Sequence, residues 1–109
     1  MSARNVPVAF SAPARRDIRD ALLDTQRRWG EVQRRQFRQR IDRALEALIA
    51  NPELSRPRDE LFPGCRSFPV GQHLIHYRRR ADATGIDVAR VLDAHQDETG
   101  AVSEPLVPQ

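Results

Sequence analysis

An α+β domain is the fold class this sequence predicts, and three observations predict it. Two apolar stripes of helical period run back to back between residues 11 and 50, parted by the single Gly30. Runs of strand period follow at 66–70, 74–80 and 86–92, each bounded by turn residues. A short apolar run at 6–10 precedes the helices and reads as a strand. The predicted order is β-α-α-β-β-β, an antiparallel helical hairpin packed on one face of a small antiparallel sheet. A chain of 109 residues supports a single modest core. Residues 1–97 are therefore expected to form one domain, with 98–109 as an acidic, flexible tail.

"VPVAF" carries Pro7, which suits the start of a strand or a sheet edge. Ser11 is placed to cap the first helix, with Pro13 in its first turn. Ile18, Ala21, Leu22, Thr25 and Trp29 then make one stripe, and Gly30 stops it. Val32, Phe37, Ile41, Ala44, Leu45, Leu48 and Ile49 make the second, which ends at Asn51–Pro52. "PELSRPRDELFPG" has no period and reads as a connection. "GQ" at 71–72 is the tip of a hairpin, and "ADATG" is the next turn.

Charge is distributed unevenly. All 18 basic residues are Arg, so no ammonium is available for Schiff-base chemistry. Residues 1–80 carry 17 Arg against 9 acids, while residues 81–109 carry Arg90 against 6. A basic body with an acidic end suits a polyanionic or acidic partner. Mean hydropathy is −0.63, and no apolar run approaches the roughly 20 residues of a membrane span. The opening residues lack the apolar core of a signal peptide, and Cys65 has no partner for a disulfide. The expected location is cytoplasmic, with no membrane contact.

Few constellations carry chemistry. His73 and His76 are three apart on a strand and point to opposite faces, so they do not share a metal ion. No cofactor or metal is expected. The five Gly are scattered and form no phosphate loop. Metal-free RNA cleavage needs an acid, a base and a cation on the phosphate. If the chain were such a nuclease, His76, Arg78 and His95 would be its catalytic set.

The order of elements and the run "NPELSRPRDELFPGCRSFPVGQHLIHYRRR", followed by "GIDVARVLDAHQD", resemble the RelE/ParE superfamily of type II toxin–antitoxin toxins, in its ParE-like branch. "SAPARRDI" and "RRWGE" add to the likeness, which runs from about Phe10 to Asp97. The resemblance implies a toxin held inactive by a cognate ParD-like antitoxin. It also implies one of two activities. ParE-like members bind and poison DNA gyrase, whereas RelE-like members cut mRNA on the ribosome. A third outcome is a member that only binds its partner. The RelE-like pattern places an Arg three residues before a strand Tyr, and here Tyr77 is preceded at that spacing by Leu74. ParE-like chains often end the last strand with His and Arg, where this chain has Asp93 and His95.

Gyrase binding without catalysis is the leading expectation, with the mRNA endonuclease as its alternative. No sequence-specific DNA binding is expected. The expected target surface is Arg66, Arg78, Arg79, Arg90 and His95. The expected antitoxin surface is Trp29, Arg34, Phe37 and Arg38, although Trp29 and Phe37 also sit on apolar stripes that suit a core.

Overall fold

The structure is a computed structural model and describes residues 7–96 and 100–106. In chain order it has β1 (Val8–Phe10), α1 (Ala12–Trp29), α2 (Glu31–Ala50), β2 (Arg56–Pro57), β3 (Arg66–Val70), β4 (His73–Arg79) and β5 (Ile86–Asp93). The strands form one sheet in the order β1-β5-β4-β3-β2. The α+β class and the helical hairpin are as the periodicity predicts.

One feature of the sheet departs from the expectation. β2 to β5 pair antiparallel, but β1 runs parallel to β5, so the sheet is mixed. The reason is β2, two residues long and hidden in the Pro-rich connection. A helical hairpin returns the chain to the end of the sheet it left, so β2 runs against β1. Three further reversals bring β5 alongside β1 in the same sense.

Local chemistry explains the helices. Ser11 caps α1 by accepting from the Ala14 amide at 3.1 Å, and its hydroxyl donates to the Ala89 carbonyl at 2.7 Å. One residue thus starts the helix and ties it to β5. Gly30, at φ +94°, alone separates the two helices. Their inner stripes, Ala14, Ile41, Ala44, Leu45 and Leu48, meet Val70, Ile75, Tyr77, Ile86, Val88 and Val91 of the sheet. This is the main core, and its burial dominates the stability of the domain.

The reverse face of the sheet carries a second cluster. Phe62 and Cys65 from the connection before β3 pack with Ala89 and Leu92 of β5 and with Val102. The segment expected to be a flexible tail therefore contributes a buried side chain, because Val102 finds an apolar site on the sheet. The boundary expected after residue 97 lies outside the described residues.

Two backbone details position the site. Tyr77 is in register with Val88 and His76 with Arg90, which leaves Ala89 as the extra residue of a β-bulge. Strict alternation would put residues 88 and 90 on one face. The bulge instead gives the core Val88 and Val91, and Arg90 is displaced. The second detail is Gly85, at φ +156°, where a Cβ would stand 2.0 Å from the Pro7 carbonyl oxygen. That oxygen accepts the Ile86 amide at 2.9 Å and opens the β1–β5 pairing. Gly85→Ala is expected to lift the start of β1 and to cost about 2 kcal/mol in denaturant unfolding. Gly64→Ala, at φ +80° with nothing within 4 Å, is expected to cost about 1 kcal/mol, from backbone conformation alone. Equal losses for the two variants would contradict the close approach.

Candidate functional site

The helical hairpin carries an apolar groove with a charged rim. Ile18 and Leu22 of α1, Ile41 and Leu45 of α2, and Phe10 of β1 line it, and Arg15, Arg19, Arg38 and Asp42 surround it. Its volume is about 350 Å³. The period-3.6 stripes produce it: Leu22, Ile41 and Leu45 are buried at its floor, while Ile18 and Phe10 remain partly exposed. Three arginines against one carboxylate favour an acidic segment with apolar anchors.

The expected antitoxin residues divide around this groove. Arg38 lines it, with Asp42 3.5 Å away. Arg34 is engaged with Glu31, whose carboxyl it holds below the usual range through their hydrogen bond. Phe37 is half-buried, its ring centroid 5.1 Å from that of His73. Trp29 is 71% exposed at the hairpin tip, together with exposed Val32. The core placement that its stripe allowed is wrong for Trp29, because Gly30 turns the chain before the indole can reach the sheet. Phe10, Arg15, Ile18, Arg19, Leu22 and Asp42 went unselected in the sequence. Arg15 and Arg19, four apart and one turn from Ile18 and Leu22, are the signal that could have found them.

The expected target residues are held differently from one another. Arg66 donates to the carbonyls of Ser55 at 2.6 Å and Glu53 at 3.3 Å, tying the connection to β3. Arg78 pairs with Glu104 and, at 3.8 Å, with Asp87. Arg79 is exposed and lies 4.0 Å from Glu53. His95 is exposed on the turn after β5, where its amide donates to Asp93 Oδ1 at 2.8 Å. Arg90 turns inward to Asp17 of α1, at 2.7 Å from Nε and 2.9 Å from Nη2. Its guanidinium is an internal clamp, and the bulge at Ala89 is what directs it there.

The nuclease set is not assembled on one surface. His76 is fully buried, with Nδ1 2.6 Å from Ser67 Oγ. His73 lies on the opposite face beneath Phe37, as strand alternation predicts, and burial holds its imidazole below the usual range. Tyr77 is buried too. Burial pushes its phenol up, and the hydroxyl donates to the Pro52 carbonyl at 2.8 Å. A neutral, hydrogen-bonded phenol in the core is structural rather than a base. Among the described residues no three His, Cys, Asp or Glu side chains converge as metal ligands. No helix among them is long and apolar enough to cross a membrane.

The model of the family described as "ParE toxin of type II toxin-antitoxin system, parDE" matches residues 8–98, nearly all of the described chain. The chain belongs to the ParE toxin family. This ParE-family chain is 38% identical over 81 residues to Toxin ParE1 of Mycobacterium tuberculosis (strain H37Rv), covering 74% of this chain and 79% of that protein. Toxin ParE1 of Caulobacter vibrioides is 26% identical over 86 residues, covering 79% of this chain and 86% of its own length. A solved structure titled "Chromosomal ParDE TA system from P. aeruginosa" superposes with a TM-score of 0.66 at 14% identity. That match covers 84% of this chain and 98% of the other, and at that identity it speaks to the fold. The ParE branch expected from the sequence motifs is thus the family found.

Proposed function

We propose that this chain is the toxin of a type II pair that inhibits DNA gyrase by binding it and is neutralised by a ParD-like antitoxin. Membership of the ParE family is the ground for the toxin assignment. The observation that favours binding over catalysis is His76. Its imidazole is sealed beneath the sheet surface and hydrogen-bonded to Ser67, out of reach of a phosphodiester. Arg78, its proposed partner on phosphate, already faces two carboxylates.

The groove of the hairpin is the antitoxin site in this reading. An amphipathic antitoxin segment lays apolar anchors over Ile18, Leu22, Ile41 and Leu45, and its acids meet Arg15, Arg19 and Arg38. Target contact falls to the end of the sheet where β4 finishes and Arg79 is exposed; His95 lies at the opposite end, because Arg79 is in register with Ile86 and His73 with Asp93. Arg66 and Arg78 stand beside Arg79 on β3 and β4.

Two assays run side by side test the activity. Purified protein is added to gyrase with plasmid DNA, and separately to translating ribosomes with mRNA. Relaxed or cleaved plasmid with intact mRNA is the expected pair of results. Cuts in ribosome-bound mRNA with normal supercoiling would replace this reading with the endonuclease.

A further inference from the structure

The reverse face of the sheet is covered by the chain's own C-terminal segment. Val102 is 5% exposed and packs with Phe62, Cys65, Ala89 and Leu92. Upstream of it, the Ala101 carbonyl accepts from Arg90 Nη1 at 2.8 Å. Downstream, the Glu104 carboxylate meets the Arg78 guanidinium. Residues 100–106 join no strand of the sheet. Val102 and Pro105 are buried and Ala101 packs against the Val102 cluster, and the polar contacts are one main-chain hydrogen bond and one exposed ion pair. This is how a groove holds an extended peptide, and each contact is individually weak. The charge asymmetry of the sequence has the same sense, since an acidic end lies on a basic body.

We propose that residues 100–106 are a releasable strap, a self-docked ligand in a site that takes an extended acidic peptide with a small apolar anchor. The anchor pocket is the surface formed by Phe62, Cys65, Ala89 and Leu92, and the acid is read by Arg78. Release uncovers that pocket and frees Arg78 from Glu104 in one step. A partner segment of the same chemistry competes with the strap for both. If Arg78 contributes to the target surface, strap release also controls target binding. That consequence rests on the gyrase reading, while the strap itself does not.

Cys65 is a built-in reporter. It is the one cysteine of the chain, is 1% exposed, and shares its cluster with Val102. The test measures how fast a thiol reagent labels Cys65 in the full-length protein under native conditions. Val102→Asp with Glu104→Gln places a carboxylate where the anchor sits and removes the ion pair, so labelling is expected to rise about tenfold. The far-UV spectrum and the cooperative melt should be retained. A synthetic peptide of residues 100–109, added to that variant, should slow labelling towards the wild-type rate. The same peptide with Glu104→Arg should not. Glu104→Arg alone in the full chain, which keeps the anchor, should raise the rate by about twofold.

An unchanged labelling rate in the folded double variant would overturn the proposal, as would a peptide without effect in trans. Loss of cooperative unfolding in the double variant would also overturn it, because the segment would then be core rather than strap. Gyrase inhibition measured on the same proteins separates the two readings. Strap release without any effect on gyrase would count against Arg78 as a target contact and leave the strap standing.

Discussion

Asp17→Ala is expected to lower stability by about 3 kcal/mol and the melting temperature by about 10 °C. Asp17 accepts from Arg90 Nε, from Arg90 Nη2 and from the Val91 amide at 3.0 Å. Its side chain is 13% exposed and that of Arg90 is 25% exposed. Removing the carboxylate leaves a guanidinium and a main-chain amide poorly solvated, and that penalty exceeds the loss of an exposed ion pair. The Asp17 hydrogen bond raises the Arg90 pKa, and a guanidinium is basic enough to stay charged even when that partner is lost. Asp20→Ala, three residues along α1, is the control. Asp20 lies 3.7 Å from Arg19 with both side chains well exposed, and its loss should stay within about 0.5 kcal/mol. Denaturant unfolding of both variants checks the contrast. A loss below about 1 kcal/mol for Asp17→Ala would contradict the clamp. The result also bears on function. A toxin weakened by Arg90 substitution would have lost the clamp, and a stability measurement distinguishes that from a lost target contact.

The second large effect is expected at the groove. Arg19→Glu with Arg38→Glu reverses two of its three arginines, leaving Arg15 with Asp42 and the two new carboxylates. Affinity for the cognate antitoxin is expected to fall about a hundredfold in a calorimetric titration. Both arginine side chains are more than half exposed, so stability should change by no more than about 0.5 kcal/mol. A small part of that change comes from the like charge set beside Asp42, one turn along α2. Unchanged affinity in the reversed protein would move the antitoxin to another surface. The exposed tip at Trp29 and Val32 is then the first alternative, since it pairs apolar exposure with the arginines of α2.

The two effects differ in how far the sequence could foretell them. Helices, strands and the Gly71–Gln72 turn were legible because each is encoded by a local period or a turn residue. Gly30 and Ser11 mark the ends of α1 within one turn of the residues they serve. β2 was not legible: two residues, one of them Pro57, carry no period, yet they decide that β1 runs parallel to β5. The Arg90–Asp17 clamp joins residues 73 apart in sequence and depends on a bulge that alternation does not announce. Arg90 therefore read as one more basic residue on a rim. Val102 was equally silent, a single apolar residue between Ala101 and Ser103 whose site exists only once β5 and the connection before β3 are folded.

The candidate site was legible in kind and less so in detail. Excess positive charge on the body pointed to an acidic partner, and Arg38 does line the groove. The stripes that read as core supplied both the core and the groove, because a helix shoulder is half in each. His76 shows the limit on the chemical side. In the sequence it stands two residues from Arg78, and alternation puts both on one face, which is what a nuclease reading needs. Burial decides otherwise, since His76 is fully buried with Nδ1 against the Ser67 hydroxyl.

Binding without turnover differs from catalysis in its stoichiometry, which a titration reads. Gyrase is held at a concentration well above the dissociation constant, the toxin is added in increments, and supercoiling is followed. A binder titrates, so inhibition should rise linearly and break at a fixed molar ratio of toxin to gyrase. Cleavage of ribosome-bound mRNA by toxin far below the ribosome concentration, with supercoiling untouched at any ratio, would make the protein an endonuclease and not a gyrase binder.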